Sequence, residues 1–256
     1  MGVLIVFNGE ALEYLELCTH RLQKVSSELK KKMWIGQDAN TWFSTAQVDW
    51  VVDNLSTKPL TRTELLEKIH LIKHSGTIDT AECRRLIIEI LAWGGSRHRQ
   101  DTMSSIRHYE TICQQLLTND ISATQAYQLF YEAQNSGYMR GMGPAYYTKL
   151  ICFLGDQSGL ILDQWTARSM NKLLASKVVL LNNGKYVSSQ NSLDVYRRYL
   201  SFISELALKL KIRNPLEVEE IIFSCSHKKN RLGKEHQEAH LICSAWRRYV
   251  ALGETV

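Results

Sequence analysis

The sequence predicts a mainly α-helical fold with one small β-hairpin. The 256 residues include three prolines, so few positions would interrupt a helix. Apolar residues recur at the three- and four-residue spacing that amphipathic helices show. In residues 177–187, by contrast, an Asn-Gly pair separates two short strand-like runs, which is the pattern of a hairpin turn. We expect the helices to form two subdomains.

Capping residues predict where several helices begin. Thr61 and Glu64 have the spacing of a capping box. Asp79 and Ser122 each precede an amphipathic run and are favoured residues at a helix start. Pro144 suits the first helical position. Residues 34–61 are expected to be irregular, and the expected helices cover residues 9–33, 62–74, 79–93, 103–117, 123–135, 144–154, a run from residue 163, residues 192–211 and a region after residue 215.

Composition limits the class of protein. The net charge of +5 and the pI near 8.8 are compatible with a nucleic-acid partner but do not establish one. The six cysteines are scattered without a CxxC pair, which favours reduced thiols and the cytoplasm. No run approaches the roughly 20 apolar residues that cross a bilayer, and residues 3–7 are too short for a signal-peptide core. We therefore expect a cytoplasmic protein without a membrane partner.

A glycine turn between two helical patterns carries the first functional signal. Gly141, Met142 and Gly143 separate the patterns, and Pro144 opens the second. Glycine permits positive φ and the close approach of another backbone. The free N–H groups of a helix start on such a turn can bind an anion such as phosphate. The alternative is a helix corner that binds no ligand.

An aspartate at a second helix start carries the next signal. Apolar residues 160–162 lead to Asp163, which precedes another amphipathic pattern. Aspartate is a favoured N-cap, so a purely structural role is one interpretation. A phosphate-binding turn followed at this distance by a carboxylate favours catalysis, and one residue can do both.

Residues 139–170 resemble the helix-hairpin-helix DNA glycosylase superfamily, closest to the bacterial relatives of 8-oxoguanine DNA glycosylase. In that superfamily the hairpin is followed at this distance by the essential aspartate, which corresponds here to Asp163. A looser likeness extends back to Ala81 and on to the C-terminus. The resemblance implies the helix-hairpin-helix glycosylase fold in a single glycosylase-like unit. That unit would comprise a helical flank (1–78), a hairpin-containing core (79–175) and a C-terminal β-hairpin with helices (176–256).

The same resemblance implies an enzyme that extrudes a damaged or modified base from double-stranded DNA and cleaves its N-glycosidic bond. The base must leave the stack before its bond is accessible. The carboxylate of Asp163 would stabilise the positive charge that develops on the sugar. The resemblance does not imply that a cofactor is required, although a monovalent cation sometimes bridges hairpin carbonyls and phosphate in this superfamily. We expect a monomer.

The position of the nucleophilic lysine differs from that in bifunctional members. Those enzymes place it two residues after the second hairpin glycine, where this chain has Ala145. The chain therefore resembles a monofunctional glycosylase, in which water attacks and an abasic site remains. Lys149 lies one helical turn further on, and a desolvated lysine there could restore lyase activity. A surface lysine or a phosphate contact is the alternative for Lys149.

Further site residues follow from the resemblance. Arginines and a histidine follow the glycines 94 and 95, and the corresponding turn in the superfamily enters the DNA; a solvated basic loop is the alternative. The hairpin would position the phosphate backbone without reading sequence. The predicted DNA contacts are Arg140, Gly141, Met142, Gly143, Arg97, His98, Arg99 and Arg168. The predicted walls of the base pocket are Trp93, Tyr146, Tyr147 and Trp165.

Several alternatives stay open at this point. The superfamily includes repair enzymes, and some bacterial proteins of this general resemblance act against phage DNA with modified bases. A non-catalytic module that grips the DNA backbone is a further alternative. Cys225, His227, His236, His240 and Cys243 could supply zinc ligands, but their spacing matches no common site, and we expect no metal.

Overall fold

The computed structural model describes residues 5–25, 35–75, 78–223 and 234–252, without the side chains of 234–240 and 243. These residues are mainly helical and include a two-stranded antiparallel sheet, as predicted. None of the described helices is long and apolar enough to span a membrane. The described elements are, in order, α1 Gly9–Gln23, α2 Ala39–Ser44, α3 Arg62–His74, α4 Thr80–Trp93, α5 Arg99–Ser104, a 3-10 helix Ile106–His108, α6 Glu110–Leu117, α7 Ala123–Asn135, α8 Pro144–Leu154, α9 Gln164–Leu173, β1 Leu181–Asn182, β2 Tyr186–Val187, α10 Leu193–Leu210, α11 Pro215–Phe223 and α12 Lys234–Leu252.

The chain divides into two compact units. Of the described residues, those between 35 and 161 form the central unit, and those before 35 and after 161 form the terminal unit. Two helical subdomains are thus confirmed. The boundaries differ from the three stretches expected from sequence, because α1 packs against α9 and α12 from the other end of the chain. The assignment of all three stretches to one glycosylase-like unit stays a prediction.

The central unit is built around α4, whose side chains are buried from Leu86 to Trp93. Helices α6 and α8 pack against α4, and α7 packs against α8. The predicted helix starts are confirmed by their caps. Thr61 and Glu64 exchange both hydrogen bonds of a capping box, Asp79 accepts from the Glu82 amide, and Ser122 begins a second capping box.

The predicted continuous helix over residues 103–117 is wrong. The helix breaks at Ser105, whose Oγ donates 2.7 Å to the Asp101 carbonyl and 3.2 Å to the Thr102 carbonyl. The Tyr109 hydroxyl also donates to the Thr102 carbonyl, at 2.9 Å. These side chains satisfy the last carbonyls of α5, so the chain turns through the 3-10 helix before α6 begins.

Two other expectations need correction. The segment expected to be irregular over residues 34–61 contains α2, because Asp38 caps it by accepting from the Thr41 amide at 2.6 Å. The N-terminal helix ends at Gln23 in the described residues, and the remainder of the expected 9–33 helix, residues 26–33, lies outside them.

The terminal unit contains the predicted β-hairpin. Asn182 pairs with Tyr186, and the turn between them places Asn183 and Gly184 at φ 52° and 65°, which the Asn-Gly pair allows. Helices α9 and α10 both contact α11 in this unit. Tyr196, Tyr199 and Phe202 are fully buried side chains of α10.

Candidate active site

The glycine turn has the geometry that the sequence predicts. Gly141 has φ +70°, and an added Cβ would lie 2.7 Å from His98 Cβ and 2.9 Å from Thr102 Oγ1. Both the backbone conformation and the close approach therefore require glycine. The side chains of Met139 and Met142 are buried and anchor the turn. Because Met142 is 1% exposed, its backbone and not its side chain would make the predicted DNA contact.

The start of α8 can accept an anion. Gly143 is its N-cap in extended conformation, no side chain caps the helix, and Pro144 occupies the first turn. Gly143 is half-buried and Arg140 is exposed. An N-terminus without a side-chain cap combines free backbone donors with the positive end of the helix dipole.

The predicted DNA-entering loop lies against this turn. Gly141 approaches His98 closely, and Ser105 Oγ lies 3.4 Å from the carbonyl oxygen of Arg140. Arg97 and His98 are exposed. The structure therefore brings two parts of the predicted DNA surface together within the central unit.

Arg99 has a different environment from its neighbours. It is the first residue of α5, its Nη1 donates to Thr45 Oγ1, and its Nη2 donates 3.2 Å to Gln37 Oε1. The guanidinium also lies 5.8 Å from the centre of the Trp42 ring. These contacts hold α2 against the loop, so Arg99 supports the loop as well as being a candidate DNA contact.

Lys149 is buried, at 4% exposure. Its Nζ donates 2.5 Å to the carbonyl of Ala145 and lies 5.5 Å from the centre of the Tyr146 ring. A Cβ on Gly94 would lie 2.6 Å from Lys149 Cδ, so the glycine leaves space for the lysine stem. The surface-lysine alternative is therefore wrong, because the side chain lies in the interior of the central unit.

Two of the predicted pocket residues lie in the core of the central unit. The Trp93 ring packs edge-on against Phe153 at 4.9 Å, and a Cβ on Gly36 would lie 2.5 Å from Trp93 Cα. Tyr147 is fully buried and its ring stacks on Phe130 at 5.3 Å. Tyr146, by contrast, is half-buried. Trp93 and Tyr147 therefore fill the core, and their role in a base pocket stays a prediction.

Asp163 is the N-cap of α9, in the terminal unit. Its Oδ1 accepts from the amides of Trp165 at 2.8 Å and Thr166 at 3.2 Å, and Thr166 Oγ1 accepts from the Asp163 amide at 2.9 Å. The residue is 7% exposed. Within the described residues, Oδ2 accepts no hydrogen bond. The cap thus uses one carboxylate oxygen, which leaves the other for chemistry.

Hydrogen bonds from three helices hold α9 in place. The Thr166 side chain hydrogen-bonds Tyr199 of α10, Ser169 Oγ donates 2.8 Å to the Ile222 carbonyl, and Trp246 Nε1 donates 3.0 Å to Ser169 Oγ. Burial raises the pKa of the Tyr199 phenol well above its usual value, and the nearby charges of Glu219 and Asp163 raise that pKa further. Tyr199 therefore stays neutral beside the cap.

The remaining predicted residues contact each other in the terminal unit. Arg168 donates from Nε and Nη2 to the Gly184 carbonyl at 3.2 and 3.1 Å, so it joins α9 to the β-hairpin turn. The half-buried Trp165 ring lies 5.0 Å from the Arg168 guanidinium and 4.3 Å from that of Arg247. Arg247 could not be predicted from the sequence, because its contact with Trp165 depends on the packing of helices that are distant in the chain.

The Cys and His cluster weighed for zinc falls outside what the structure describes. Cys225 and His227 are outside the described residues, as are the side chains of His236, His240 and Cys243. Among the described side chains, no group of three His, Cys, Asp or Glu residues could hold a metal ion. The described cysteines form no disulfide and are buried: Cys18, Cys83, Cys113 and Cys152.

The family of the chain follows from a protein-family model that matches residues 28–223. Its description is "Putative 8-oxoguanine DNA glycosylase OGG-like protein". The chain belongs to this OGG-like family. The match includes the hairpin, Lys149 and Asp163, and it confirms the predicted resemblance and fold class. OGG-like membership gives a DNA glycosylase-type function and DNA as the partner. No curated protein and no solved structure matches the chain significantly.

Proposed function

We propose that this OGG-like protein is a monofunctional DNA glycosylase that hydrolyses the N-glycosidic bond of an extruded, modified base. The observation that carries the proposal is the state of Asp163, which caps α9 through Oδ1 while Oδ2 accepts no hydrogen bond from the described residues. Ala145 supports the monofunctional assignment, because an alanine cannot form a Schiff base with the sugar.

Each of the proposed functional elements has a physical task. The hairpin from Arg140 to Gly143 binds a phosphate and holds the duplex without reading its sequence. The extruded base leaves with the bonding electron pair and takes up a proton, and positive charge develops on the sugar. The Asp163 carboxylate stabilises that charge. Water then adds to the sugar carbon and loses a proton, which leaves an abasic site.

Base release from a panel of DNAs tests the proposal. The panel contains duplexes with oxidised guanine, uracil or alkylated bases, and phage DNAs with modified cytosines. Wild type and Asp163→Asn are incubated with each DNA, and hot alkali then converts abasic sites to strand breaks. We expect breaks in one substrate class with wild type and none with Asp163→Asn.

Asp79→Asn is the matched control, because Asp79 also caps a helix by accepting a backbone hydrogen bond. It should release base like wild type. Intact DNA throughout the panel, together with retained duplex binding, would favour the non-catalytic binding module instead. Release from oxidised or alkylated duplexes would assign the enzyme to base-excision repair, and release from phage DNA alone would assign it to defence against phage.

The burial of Lys149 favours a second candidate, a bifunctional glycosylase and lyase. Its amine would displace the base and form a Schiff base with the sugar, and elimination would then break the strand. Borohydride reduction traps such an intermediate as a covalent adduct of protein and DNA. An adduct with wild type that is lost in Lys149→Ala would support the lyase, as would strand breaks without alkali. Absence of the wild-type adduct on a substrate whose base is released would exclude it.

A further inference from the structure

Two segments of the central unit, residues 97–108 and residues 138–141, run side by side. His98 lies against Gly141, Ser105 Oγ lies 3.4 Å from the Arg140 carbonyl oxygen, and the rings of His108 and Tyr138 stack. These contacts continue from the loop before α5 to the 3-10 helix. The hairpin turn is therefore one end of a longer surface formed by both segments.

The exposed arginines on this surface have no partner among the residues that the structure describes. Within the described residues, Arg97, Arg107 and Arg140 form no ion pair and no hydrogen bond. Two arginines of α4 are paired, by contrast: Arg84 donates 2.8 Å to Glu110, and Arg85 pairs with Glu82. The two segments together contain four arginines and a single aspartate, Asp101. Such an excess of uncommitted positive charge attracts a polyanion.

The ring pair at the far end of the surface is exposed and ordered by its own stacking. The ring centres of His108 and Tyr138 are 5.1 Å apart with an interplanar angle of 19°, and Tyr138 is 58% exposed. Each ring orients the other, so the two side chains lose less conformational entropy when a ligand binds them. The Tyr138 hydroxyl and the nitrogens of His108 are donors of the kind that contact DNA phosphates.

We propose that Arg107, His108 and Tyr138 bind the phosphate backbone of the same duplex, beyond the phosphate that the hairpin holds. The proposal rests on the proposed function, since it assumes that the hairpin grips DNA. It adds a second set of backbone contacts on the 3-10 helix, a part of the chain that the glycosylase motif does not include. These contacts position the duplex and do not read its bases.

Duplex binding as a function of salt concentration tests the proposal. Fluorescence anisotropy is measured with two labelled duplexes of unrelated sequence for wild type, Arg140→Ala, Arg107→Ala and Tyr138→Ala. Each lost phosphate contact to a cation lowers the slope of log K against log salt by about 0.9. We expect Arg107→Ala to lower the slope by that amount and to weaken binding roughly five- to tenfold at about 0.1 M salt, with both duplexes.

Tyr138→Ala should weaken binding severalfold with little change in slope, because the phenol is uncharged. Lys58→Ala is the matched control, because it removes one exposed positive charge of the central unit outside both segments; it should bind like wild type. All these side chains are exposed, and circular dichroism would verify that each variant is folded.

The outcomes separate this inference from the proposed function. If Arg140→Ala loses affinity while Arg107→Ala and Tyr138→Ala bind like wild type, the extended surface is wrong and the hairpin assignment stands. If the losses occur with one duplex sequence and not the other, the residues read bases and the proposal is overturned. If wild type binds neither duplex, the extension and the proposed hairpin grip both fail.

Discussion

Lys149 occupies space that exists because residue 94 is a glycine. A Cβ at Gly94 would lie 2.6 Å from Lys149 Cδ and 3.1 Å from Cε. Gly94 has φ −71°, so alanine could adopt its backbone conformation. The closest obstacle to a Cβ is the lysine stem, and the Ile90 carbonyl oxygen would follow at 3.3 Å. Gly94 directly follows α4 and Lys149 lies on α8, and together they bury a lysine stem beside Ala145 and Tyr146.

Gly94→Ala should destabilise the protein by about 1–2 kcal/mol, because the added methyl group displaces a packed side chain. Chemical denaturation of wild type, Gly94→Ala, Lys149→Ala and the double variant measures the effect. The cost of the methyl group should be smaller in the Lys149→Ala background, with a coupling energy of about 1 kcal/mol. Gly9→Ala is the control, since nothing lies within 4 Å of that position. Additive effects would contradict the steric explanation.

Gly141→Ala should weaken DNA binding and also reduce stability. An alanine at positive φ costs about 1–2 kcal/mol, and its Cβ would collide with His98. Gly137→Ala is a matched control, because Gly137 has φ +78° with nothing within 4 Å. We expect denaturation to show a larger loss for Gly141→Ala, and anisotropy to show weaker duplex binding for Gly141→Ala than for Gly137→Ala. Equal effects would mean that the contact with His98 has no role.

The helix caps explain how much of this fold could be predicted from sequence. The caps at Thr61, Asp79, Ser122 and Asp163 depend on residues two or three positions apart, so local chemistry identifies them. The break at Ser105 could not be predicted. A serine can lie within a continuing helix, or its side chain can hydrogen-bond a preceding carbonyl where the helix ends.

The candidate site was predictable where it is local and not where it depends on tertiary packing. The hairpin glycines and Asp163 could be identified from spacing. The burial of Lys149 depends on Gly94, and the fixation of Arg168 depends on the Gly184 carbonyl. The division into two units depends on α1 packing with helices from the far end of the chain. Periodicity within one segment contains none of this information.

Substitutions of Asp163 should separate its two roles. Asparagine retains an oxygen acceptor and is as good an N-cap as aspartate, so Asp163→Asn should unfold within a few tenths of a kcal/mol of wild type. Asp163→Ala removes the acceptor of both backbone hydrogen bonds and should cost about 1–2 kcal/mol. Base release should be lost in both variants, because neither has a carboxylate. Activity retained by Asp163→Asn would show that the cap is the residue's sole role.

Stability should fall as the pH rises above 9, because the buried thiols ionise more readily in the unfolded chain than in the folded protein. Burial, followed by the charge of Glu110, raises the pKa of Cys83 from 9.0 to about 12. Between these values the unfolded chain loses a proton that the folded chain keeps, so the free energy of unfolding decreases with pH. The stabilisation is fully present below pH 9 and is lost as the pH approaches 12. Cys83 alone should contribute about 1.4 kcal/mol per pH unit within that window.

Urea denaturation at a series of pH values from 7 to about 11 measures this contribution, with Cys83→Ala as the comparison. The alanine variant will be less stable at every pH because it leaves a small cavity, but that loss does not vary with pH. Above pH 9 the free energy of unfolding should therefore fall less steeply with pH in Cys83→Ala than in wild type. Part of the slope should remain, because burial also raises the pKa of Cys18, to about 11. Parallel curves for the two proteins would show that the Cys83 thiol ionises alike in the folded and unfolded states.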